Sequence, residues 1–245
     1  MHNKYDAVII GGGACGLMCA AQAGLIGKKT LVLERNDKPG AKILISGGGR
    51  CNYTNIHTSI DNFVSQNPKF LRSILSQWNV EDTLRFFETY GDIIPQEKTL
   101  GQLFPTSNKA KDIVATLTKV MYDTNQDLWL NTLVTNVEKS QNGYLITLEK
   151  QGKEQVLEVP KVVFASGGLP VAKLGASDFA IRTARKFGMD IISTAPALVP
   201  LTITSKDAEW YASLSGNTVF ARVWNDKISF EENILPYRDI TTKIL

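Results

Sequence analysis

A glycine-rich turn near the N-terminus is the first stretch of this sequence whose residue types and spacing could do chemistry. Gly11, Gly13 and Gly16 form the pattern Gly-x-Gly-x-x-Gly, and the acid Glu34 follows at the expected distance of about 20 residues. In such a turn the first glycine permits the bend, the second lets the backbone approach a pyrophosphate, and the third lets helix and strand pack closely. Glu34 can accept hydrogen bonds from a ribose, and its charge disfavours a 2′-phosphate there. The spacing therefore predicts a dinucleotide site.

The elements that must position this turn can also be predicted. Residues 5–10 and 29–35 are apolar runs typical of buried strands, and residues 15–27 between them have the composition of a helix. Strand, helix and strand within about 30 residues indicate a βαβ unit with parallel strands. An NAD protein usually continues through more such units, whereas this chain goes on to a glycine-rich segment, helices and a β-meander. The fold class we predict is α/β, a Rossmann-type FAD-binding domain of glutathione-reductase-like organisation, and NAD stays open as the alternative cofactor.

A second glycine-rich stretch, "GAKILISGGGRCNYTN", covers residues 40–55. We expect residues 36–58 to form one long functional loop, because loops of this length without secondary structure are otherwise uncommon. Lys42 either neutralises a phosphate or ribitol oxygen or is a solvated charge, and Arg50 either touches the cofactor or pairs with an acid of the following helices. Cys51 has no Cys-x-x-Cys partner, so we expect a packed thiol.

Periodicity and turn residues predict the remaining elements. The predicted helices cover 67–78, 80–91 with Gly91 as its cap, a stretch starting near Ser107 or Asn108, either of which could cap it, and 177–188. The predicted strands lie in the runs 128–140, 143–151 and 154–166, with a hairpin at Asn142-Gly143 and a buried strand within 161–168. Residues 189–203 are expected to be extended and broken by Pro196 and Pro200, with short strands beyond them.

Composition limits the partners that we expect. The chain has 245 residues, 43% of them hydrophobic, and a net charge of +3. Without a basic tract we expect no nucleic-acid partner, and without about 20 consecutive apolar residues we expect no membrane span. Three cysteines without framework spacing and two histidines argue against disulfides and zinc, so we expect a cytoplasmic protein. Cys15 and Cys19, one helical turn apart, are expected to fill the core, and the oligomeric state stays open.

Five stretches together give the chain a resemblance to a known family. They are "VIIGGGACGLMCA", "LVLERNDKPGAKILISGGGRCNYTN", "GQLFPTSNKAKDIV", "VVFASGGLPVAKLGASD" and "APALVPL", in this order over residues 5 to about 205. With them the chain resembles the aminoacetone-oxidase-like family of bacterial FAD flavoproteins, which are NAD(P)/FAD-dependent oxidoreductases. The resemblance implies FAD as cofactor and NAD(P)H as a candidate electron partner. It also implies an FAD-binding domain over 1–195 and the beginning of an inserted β-rich domain over 196–245.

The same resemblance implies a set of cofactor-binding residues. They are Gly11, Gly13, Ala14, Gly16, Glu34, Arg35, Lys42, Ser46, Gly48, Gly49, Arg50, Val134, Ser166 and Gly167. Within this set, Val134 would contact the adenine through its backbone, and Ser46 to Arg50 would run along the flavin. The resemblance assigns no catalytic residue and no metal ligand.

The chain departs from the family pattern near its C-terminal end. Where the family has Leu-Phe-Thr-His and then Gly-Leu/Ile-Ser-Gly-Pro, this sequence has "ILPYRDITTKIL". We therefore expect a disrupted or truncated reading frame that lacks the segment completing the FAD domain. Such a chain would expose a sheet edge and retain flavin weakly. A purified chain carrying stoichiometric flavin would contradict this expectation.

The function that the resemblance implies is hydride transfer through the flavin N5 of an FAD-dependent oxidoreductase. The substrate would be a small molecule, an amine or an activated alkene, with reduced nicotinamide or oxygen as the other partner. Two alternatives stay open. The first is an NAD-binding dehydrogenase, which a flavin absorbance spectrum would distinguish from a flavoprotein. The second is a non-catalytic remnant, which would be distinguished by comparing the activity of this chain with that of a chain of family length.

Overall fold

The computed structural model of this protein describes residues 4–63, 67–195, 199–202, 219–224, 229–234 and 241–244. The chain divides into two compact units, Met1–Asp190 and Ile191–Leu245. The assignment of 1–195 to an FAD-binding domain and of 196–245 to an inserted domain stays a prediction.

The described residues of the first unit form ten strands and six α-helices. The strands are β1 (Ala7–Ile10), β2 (Thr30–Leu33), β3 (Thr54–Asn55), β4 (Pro95–Glu97), β5 (Gln102–Pro105), β6 (Asp127–Trp129), β7 (Thr132–Ser140), β8 (Gly143–Lys150), β9 (Lys153–Val159) and β10 (Val162–Phe164). The helices are α1 (Ala14–Leu25), α2 (Ala41–Ile45), α3 (Pro68–Gln77), α4 (Val80–Gly91), α5 (Ala110–Asp123) and α6 (Phe179–Lys186).

The centre of the first unit is a parallel sheet with the strand order β10-β1-β2-β6. Val8 lies opposite Leu31 on one side and Val162 on the other, which confirms the predicted βαβ unit and its parallel strands. Successive side chains of a strand point to opposite faces, so Ile9 packs into one core cluster and Val8 into another. Both faces of β1 and β2 are covered, which is why these strands are continuous apolar runs.

Helices cover one face of this sheet and an antiparallel sheet covers the other. On the helical face, Leu17 of α1 and Leu117 of α5 are buried with Ile9. On the opposite face, Ile146 of the β7-β8-β9 sheet is buried with Val8. The first unit is therefore built in three layers around two apolar cores.

The β-rich stretch from β6 to β10 contains one more strand than the sequence predicted. The hairpin at Asn142-Gly143 is confirmed, since Ser140 pairs with Gly143. The first predicted run divides into β6 and β7, so its prediction as one strand is wrong, whereas the buried strand predicted within 161–168 is confirmed as β10, distinct from β9. Asn131 separates the first pair with a left-handed φ of 50°, and Pro160, which has no backbone N–H, separates the second. These breaks place β6 and β10 in the parallel sheet and leave β7 to β9 in the covering layer.

The prediction of one unstructured loop over 36–58 is also wrong. The stretch "AKILI" forms α2, whose N-cap Gly40 takes a left-handed φ of 71°. Ile43 of this helix is buried in the core on the helical face. β3 then pairs with β5 in a small antiparallel sheet of order β3-β5-β4. Burial of Ile43 outweighs the glycine-rich composition of the flanks, and this burial cannot be seen in local composition.

Two helix boundaries differ from the prediction. The left-handed cap of α4 is Asp92 (φ 50°), whereas Gly91 is its last helical residue. A methyl group at Gly91 would overlap the side chain of Thr116 on α5, so this glycine serves helix packing instead. α5 begins after the N-cap Lys109, and neither of the two predicted residues caps it.

The described residues of the second unit form two antiparallel strand pairs. β11 (Val199–Thr202) pairs with β14 (Thr241–Ile244), and β12 (Val219–Trp224) pairs with β13 (Ser229–Ile234). The predicted short strands are confirmed there. The predicted break at Pro200 is wrong, because β11 runs through Pro200, which lies opposite Lys243, while Pro196 lies outside the described residues. Across the described ranges, no helix has the length and apolar character needed to cross a bilayer.

Candidate dinucleotide-binding site

A cavity of about 830 Å³ opens where β1, β2 and β10 end. Ligands of parallel α/β sheets bind at this carboxyl edge of the strands. Of the predicted cofactor-binding residues, nine line the cavity and five do not. Those that line it are Gly11, Gly13, Ala14, Glu34, Arg35, Lys42, Val134, Ser166 and Gly167.

The glycine turn after β1 is shaped by its close neighbours. Gly11 has a φ of 109°, and a methyl group there would lie 2.5 Å from the carbonyl oxygen of Ala165. A methyl group at Gly16 would overlap the carbonyl oxygen of Gly11, so Gly16 lies beneath the cavity and lets α1 pack on β1. Gly13 differs, since no atom lies within 4 Å of the position a Cβ would take. The turn therefore holds its shape through two glycines and keeps open space at the third.

The start of α1 faces this open space. Gly13 is the N-cap of the 12-residue helix and makes no side-chain cap, and Ala14 and Cys15 of the first turn line the cavity. The first backbone N–H groups of a helix have no intrahelical acceptor and carry a partial positive charge. The arrangement provides donors for an anionic group without any basic side chain.

Glu34 is held in place by backbone donors. Its side chain is buried at 7% exposure, and Oε2 accepts a hydrogen bond from the Gly12 N–H at 2.7 Å. Oε1 accepts one from the Asn36 N–H at 2.8 Å. Each carboxylate oxygen keeps a further lone pair, so the group can still accept hydrogen bonds from a ligand's hydroxyls.

Sequence reasoning missed a tether beside this acid. The Asn36 side-chain amide donates to the carbonyl oxygen of Leu174 at 3.3 Å, and Arg35 donates to that of Gly175 at 3.3 Å. These bonds hold the chain after β10 across one side of the cavity. The partners are about 140 residues apart in the sequence, so no local pattern could have shown the tether.

Two polar side chains complete the wall formed by the chain after β10. Lys42 donates from Nζ to the Gly168 carbonyl oxygen at 3.0 Å and so joins α2 to this wall. The Ser166 hydroxyl is buried and has no hydrogen-bond partner among the described residues. Buried polar groups are normally paired, so this hydroxyl is suited to a ligand that occupies the cavity.

Val134 lies where β7 is irregular. Its pairing with β8 shifts register between Val134 and Asn136, which leaves Thr135 out of the ladder. The Val134 side chain is buried in the core on the meander side, so we infer that its backbone is what it presents to the cavity.

The residues Ser46, Gly48, Gly49 and Arg50 do not line this cavity. Gly48 and Gly49 have φ values of 69° and 82°, and the carbonyl oxygen of Gly49 accepts a hydrogen bond from the first residue of α5 at 2.9 Å. Arg50 donates from Nε to the Gly47 carbonyl oxygen at 2.9 Å and lies 5.3 Å from the centre of the Phe104 ring. Arg50 thus fixes its own loop, and a contact of this loop with a flavin stays a prediction.

The cysteines differ in their surroundings. Cys51 is buried in the core, which confirms a packed thiol, and burial raises its pKa. Burial also raises the pKa of Cys19. The prediction that Cys15 fills the core is wrong, because this residue is exposed and lines the cavity. Near Cys51, burial raises the pKa of Tyr53 to about 12, and its hydroxyl finds no partner in the described residues.

Comparison with known proteins places this site in context. A family profile described as "HI0933-like protein Rossmann domain" matches residues 5–223. The chain is 38% identical over 234 residues to the ribosomal RNA dihydrouridine synthase of Escherichia coli K12, covering 95% of this chain and 57% of that protein. It is 28% identical over 197 residues to the 3-dehydro-bile acid Δ(4,6)-reductase of Clostridium scindens, covering 80% of this chain and 47% of that protein.

A solved structure shares the fold. The chain aligns with the 3-ketosteroid Δ1-dehydrogenase of Sterolibacterium denitrificans at a TM-score of 0.57 and 16% identity, over 83% of this chain and 58% of that one. The chain thus spans only about half the length of the curated relatives it matches. The profile nevertheless covers most of the chain, and the parallel sheet, glycine turn and cavity agree with it. The chain therefore belongs to the HI0933-like family of FAD/NAD(P)-binding Rossmann proteins.

Proposed function

We propose that this chain is the FAD-binding part of a flavoprotein reductase that adds hydrogen across a carbon–carbon double bond conjugated to a carbonyl group. The proposal rests on three features that line the same cavity. They are the open space beside Gly13, the carboxylate of Glu34 held by backbone N–H groups, and the unpaired hydroxyl of Ser166. Its volume of about 830 Å³ lies in the range of cofactor sites. FAD is favoured over NAD because the sheet is not continued through successive βα units. The chain leaves the sheet after β2 for α2 to α5, returns with β6, and leaves it again for the β7–β9 meander before β10.

Each of these residues then has a role toward the cofactor. The start of α1 binds the pyrophosphate, and Lys42 neutralises part of its charge. Glu34 accepts hydrogen bonds from the adenosine ribose, and Ser166 donates one to the cofactor. When bound, FAD would supply hydride chemistry at its N5, with NAD(P)H as the proposed reductant and water as the source of the proton that completes the addition. No side chain is assigned as the proton donor, and the narrower kinship with the aminoacetone-oxidase-like group is part of this proposal.

For the substrate we propose a uracil base of RNA. The names of both relatives describe the reduction of carbon–carbon double bonds, and the relative with 38% identity is named for uridine in ribosomal RNA. The ring double bond of uracil is conjugated to a carbonyl, as this chemistry requires. A free small molecule, as composition predicts, is the alternative. A cytoplasmic location, expected from cysteine usage, would supply both RNA and reduced nicotinamide.

Binding and turnover test the proposal separately. The purified 245-residue chain is titrated with FAD and with NAD⁺ while protein fluorescence is followed, and we expect saturable binding of FAD only. The FAD-loaded chain is then incubated with NADPH and either an oligouridylate or a simple cyclic enone, and loss of ultraviolet absorbance is recorded. Reduction of the enone alone would favour the small-molecule alternative, and binding of NAD⁺ in place of FAD would overturn the proposal.

A further inference from the structure

A second groove lies apart from the cofactor cavity, and the proposed function leaves it without a role. Its volume is about 500 Å³, and the two cavities share no lining residue. One wall is the chain that continues from the "SGGGRCN" loop, from Thr54 to Ile60, and the other walls are α3 and the start of α4. Because the same stretch of chain borders the loop predicted to run along the flavin, the groove is a candidate for the part of a substrate that lies outside the reaction site.

The groove carries one side chain that can bind an anionic ligand group. Among the described residues its lining holds one cation, Arg72 of α3, and one carboxylate, Glu81 of α4. Arg72 is exposed and belongs to none of the ion pairs found in the described part of the chain. The neighbouring Arg85 of α4, by contrast, pairs with Asp82 at 3.2 Å. A guanidinium with its donors free is well suited to a phosphate.

The hydroxyls of the groove present acceptors to a ligand. Thr58 donates its proton to the Asn55 carbonyl oxygen at 2.8 Å, and Ser76 donates to that of Ser73 at 2.9 Å. Their oxygen lone pairs are left for ligand donors such as ribose hydroxyls or a base N–H. Glu81 adds a carboxylate that can accept from the same groups.

An apolar side completes the groove. Ile56, Ile60 and Leu75 line it together with Trp78, whose indole N–H is already bonded to Thr83 at 2.9 Å. The polar edge of the indole is thus satisfied within the protein, and its apolar surface can contact a ligand. Single-stranded RNA is recognised by this combination of stacking surfaces, arginine and acceptors for the ribose 2′-hydroxyl.

We propose that this groove binds a nucleotide that flanks the target uridine, with its phosphate on Arg72, its ribose toward Glu81 and the hydroxyls, and its base on the apolar side. Enzymes that act on a base of a nucleic acid take the target base into their site and contact the neighbouring nucleotides outside it. One arginine and a stacking surface need no basic tract, so a net charge of +3 is compatible with this mode of binding. The inference rests on RNA as the proposed substrate.

The test measures RNA binding without relying on turnover. Binding of a fluorescein-labelled single-stranded oligouridylate of about 12 nucleotides to the FAD-supplemented full chain is followed by anisotropy. We expect Arg72→Ala to weaken binding about tenfold and to lower the salt dependence by about 0.7 in the log–log slope, which corresponds to one phosphate contact. Arg72→Lys should recover part of the affinity, and Arg85→Ala, the matched control on α4, should bind like the wild type. Thermal melting confirms that the variants fold.

The outcomes separate this inference from the function beneath it. If the wild type does not bind the oligonucleotide, or if Arg72→Ala binds as tightly as wild type, or if Arg85→Ala loses as much, the groove proposal is overturned. If uridine is reduced while the Arg72 variant is unaffected, only the groove proposal fails. If binding depends on Arg72 but no uridine is reduced, the groove stands as an RNA-binding site and the proposed reaction fails.

Discussion

The two glycine-rich stretches of this molecule use glycine for different physical reasons. In the turn after β1, space decides, since a methyl group at Gly16 would overlap the Gly11 carbonyl and one at Gly11 would come within 2.5 Å of the Ala165 oxygen. At Gly48 and Gly49 of the loop after α2, torsion decides. Gly48 and Gly49 have left-handed φ values, yet the nearest atoms to an added Cβ would be 4.0 and 3.8 Å away.

The first kind of glycine is needed for the packing of one element on another, and the second kind is needed only for the backbone conformation of a loop. A glycine required by space fixes how α1 packs on β1, and any side chain there must move a neighbouring backbone. A glycine required by torsion leaves open space beside it, so the penalty of a side chain depends on that side chain's tolerance of positive φ. Substitutions at these positions separate the two cases and their consequences for cofactor binding.

The largest effect is expected at the position limited by space. Gly16→Ala should lower the free energy of unfolding by about 3 kcal/mol, because the methyl group overlaps backbone and not a movable side chain. Urea denaturation measures this change. Gly13→Ala is the matched control, since its Cβ meets nothing within 4 Å. Its stability should stay within about 0.5 kcal/mol of the wild type, while FAD binding weakens because the methyl group occupies the cradle. Equal stability losses in both variants would contradict the distinction.

A smaller loss is expected at the position limited by torsion. Gly49→Ala should lower the free energy of unfolding by about 1–2 kcal/mol, the penalty for an L-residue at left-handed φ. Gly49→Asn should lose clearly less, because asparagine tolerates this region. Urea denaturation of both variants gives the comparison, and an asparagine variant less stable than the alanine variant would show that space limits this position too.

The unpaired hydroxyl on the cavity should act on binding more than on folding. Ser166→Ala is expected to leave the free energy of unfolding unchanged or raise it by about 1 kcal/mol, since it removes an unsatisfied buried group. The dissociation constant for FAD should rise about fivefold, as measured by fluorescence titration. Tyr53→Phe removes the other buried hydroxyl that lacks a partner among the described residues, away from the cavity, and should not change FAD affinity. If only the tyrosine variant lost affinity for FAD, the assignment of the cofactor contact to the Ser166 hydroxyl would be wrong.

The smallest effect is expected at the amino edge of the sheet, opposite the cavity. Burial raises the pKa of Asp127, but hydrogen bonds from Tyr5, Lys29 and Lys4 outweigh it, so the net pKa is lowered. A carboxyl whose pKa is lower in the folded state stabilises the fold above its unfolded pKa of about 3.9, and this stabilisation is lost as pH falls through the folded value.

When the pH is lowered from 7, the urea midpoint of the wild type should therefore fall more than that of Asp127→Asn. The loss of unfolding free energy on acidification should differ between the two proteins by less than about 1 kcal/mol, as for other partly exposed ion pairs. FAD affinity at pH 7 should be the same in both proteins. A loss of FAD affinity in the variant would show that the two edges of the sheet are coupled.

Local pattern was sufficient for the elements that carry the cradle. β1, α1 and β2 follow from the apolar runs and the glycine spacing, and the structure confirms them within a few residues. The same holds for α3, α4 and the hairpin, where periodicity and turn residues act over short distances. In these regions burial and local propensity favour the same structure.

The features that sequence reasoning missed depend on distant contacts. α2 forms because Ile43 finds a core made by residues far along the chain, and Cys15 is exposed because α1 begins on a cavity and not against a wall. The tether from Asn36 to Leu174 joins segments that come together only after the sheet has formed. Nine predicted cofactor residues line the cavity, and the loop that includes Arg50 is stabilised by its own backbone and by Phe104.

The buried carboxylate of Glu34 also affects the entropy of association. Both of its oxygens are held by backbone N–H groups before any ligand arrives, so its side-chain rotamers are already restricted in the free protein. Freezing a flexible side chain on binding costs about 0.5–1.5 kcal/mol. At Glu34 this entropy is already lost when the protein folds, so on binding only the nucleoside loses conformational freedom.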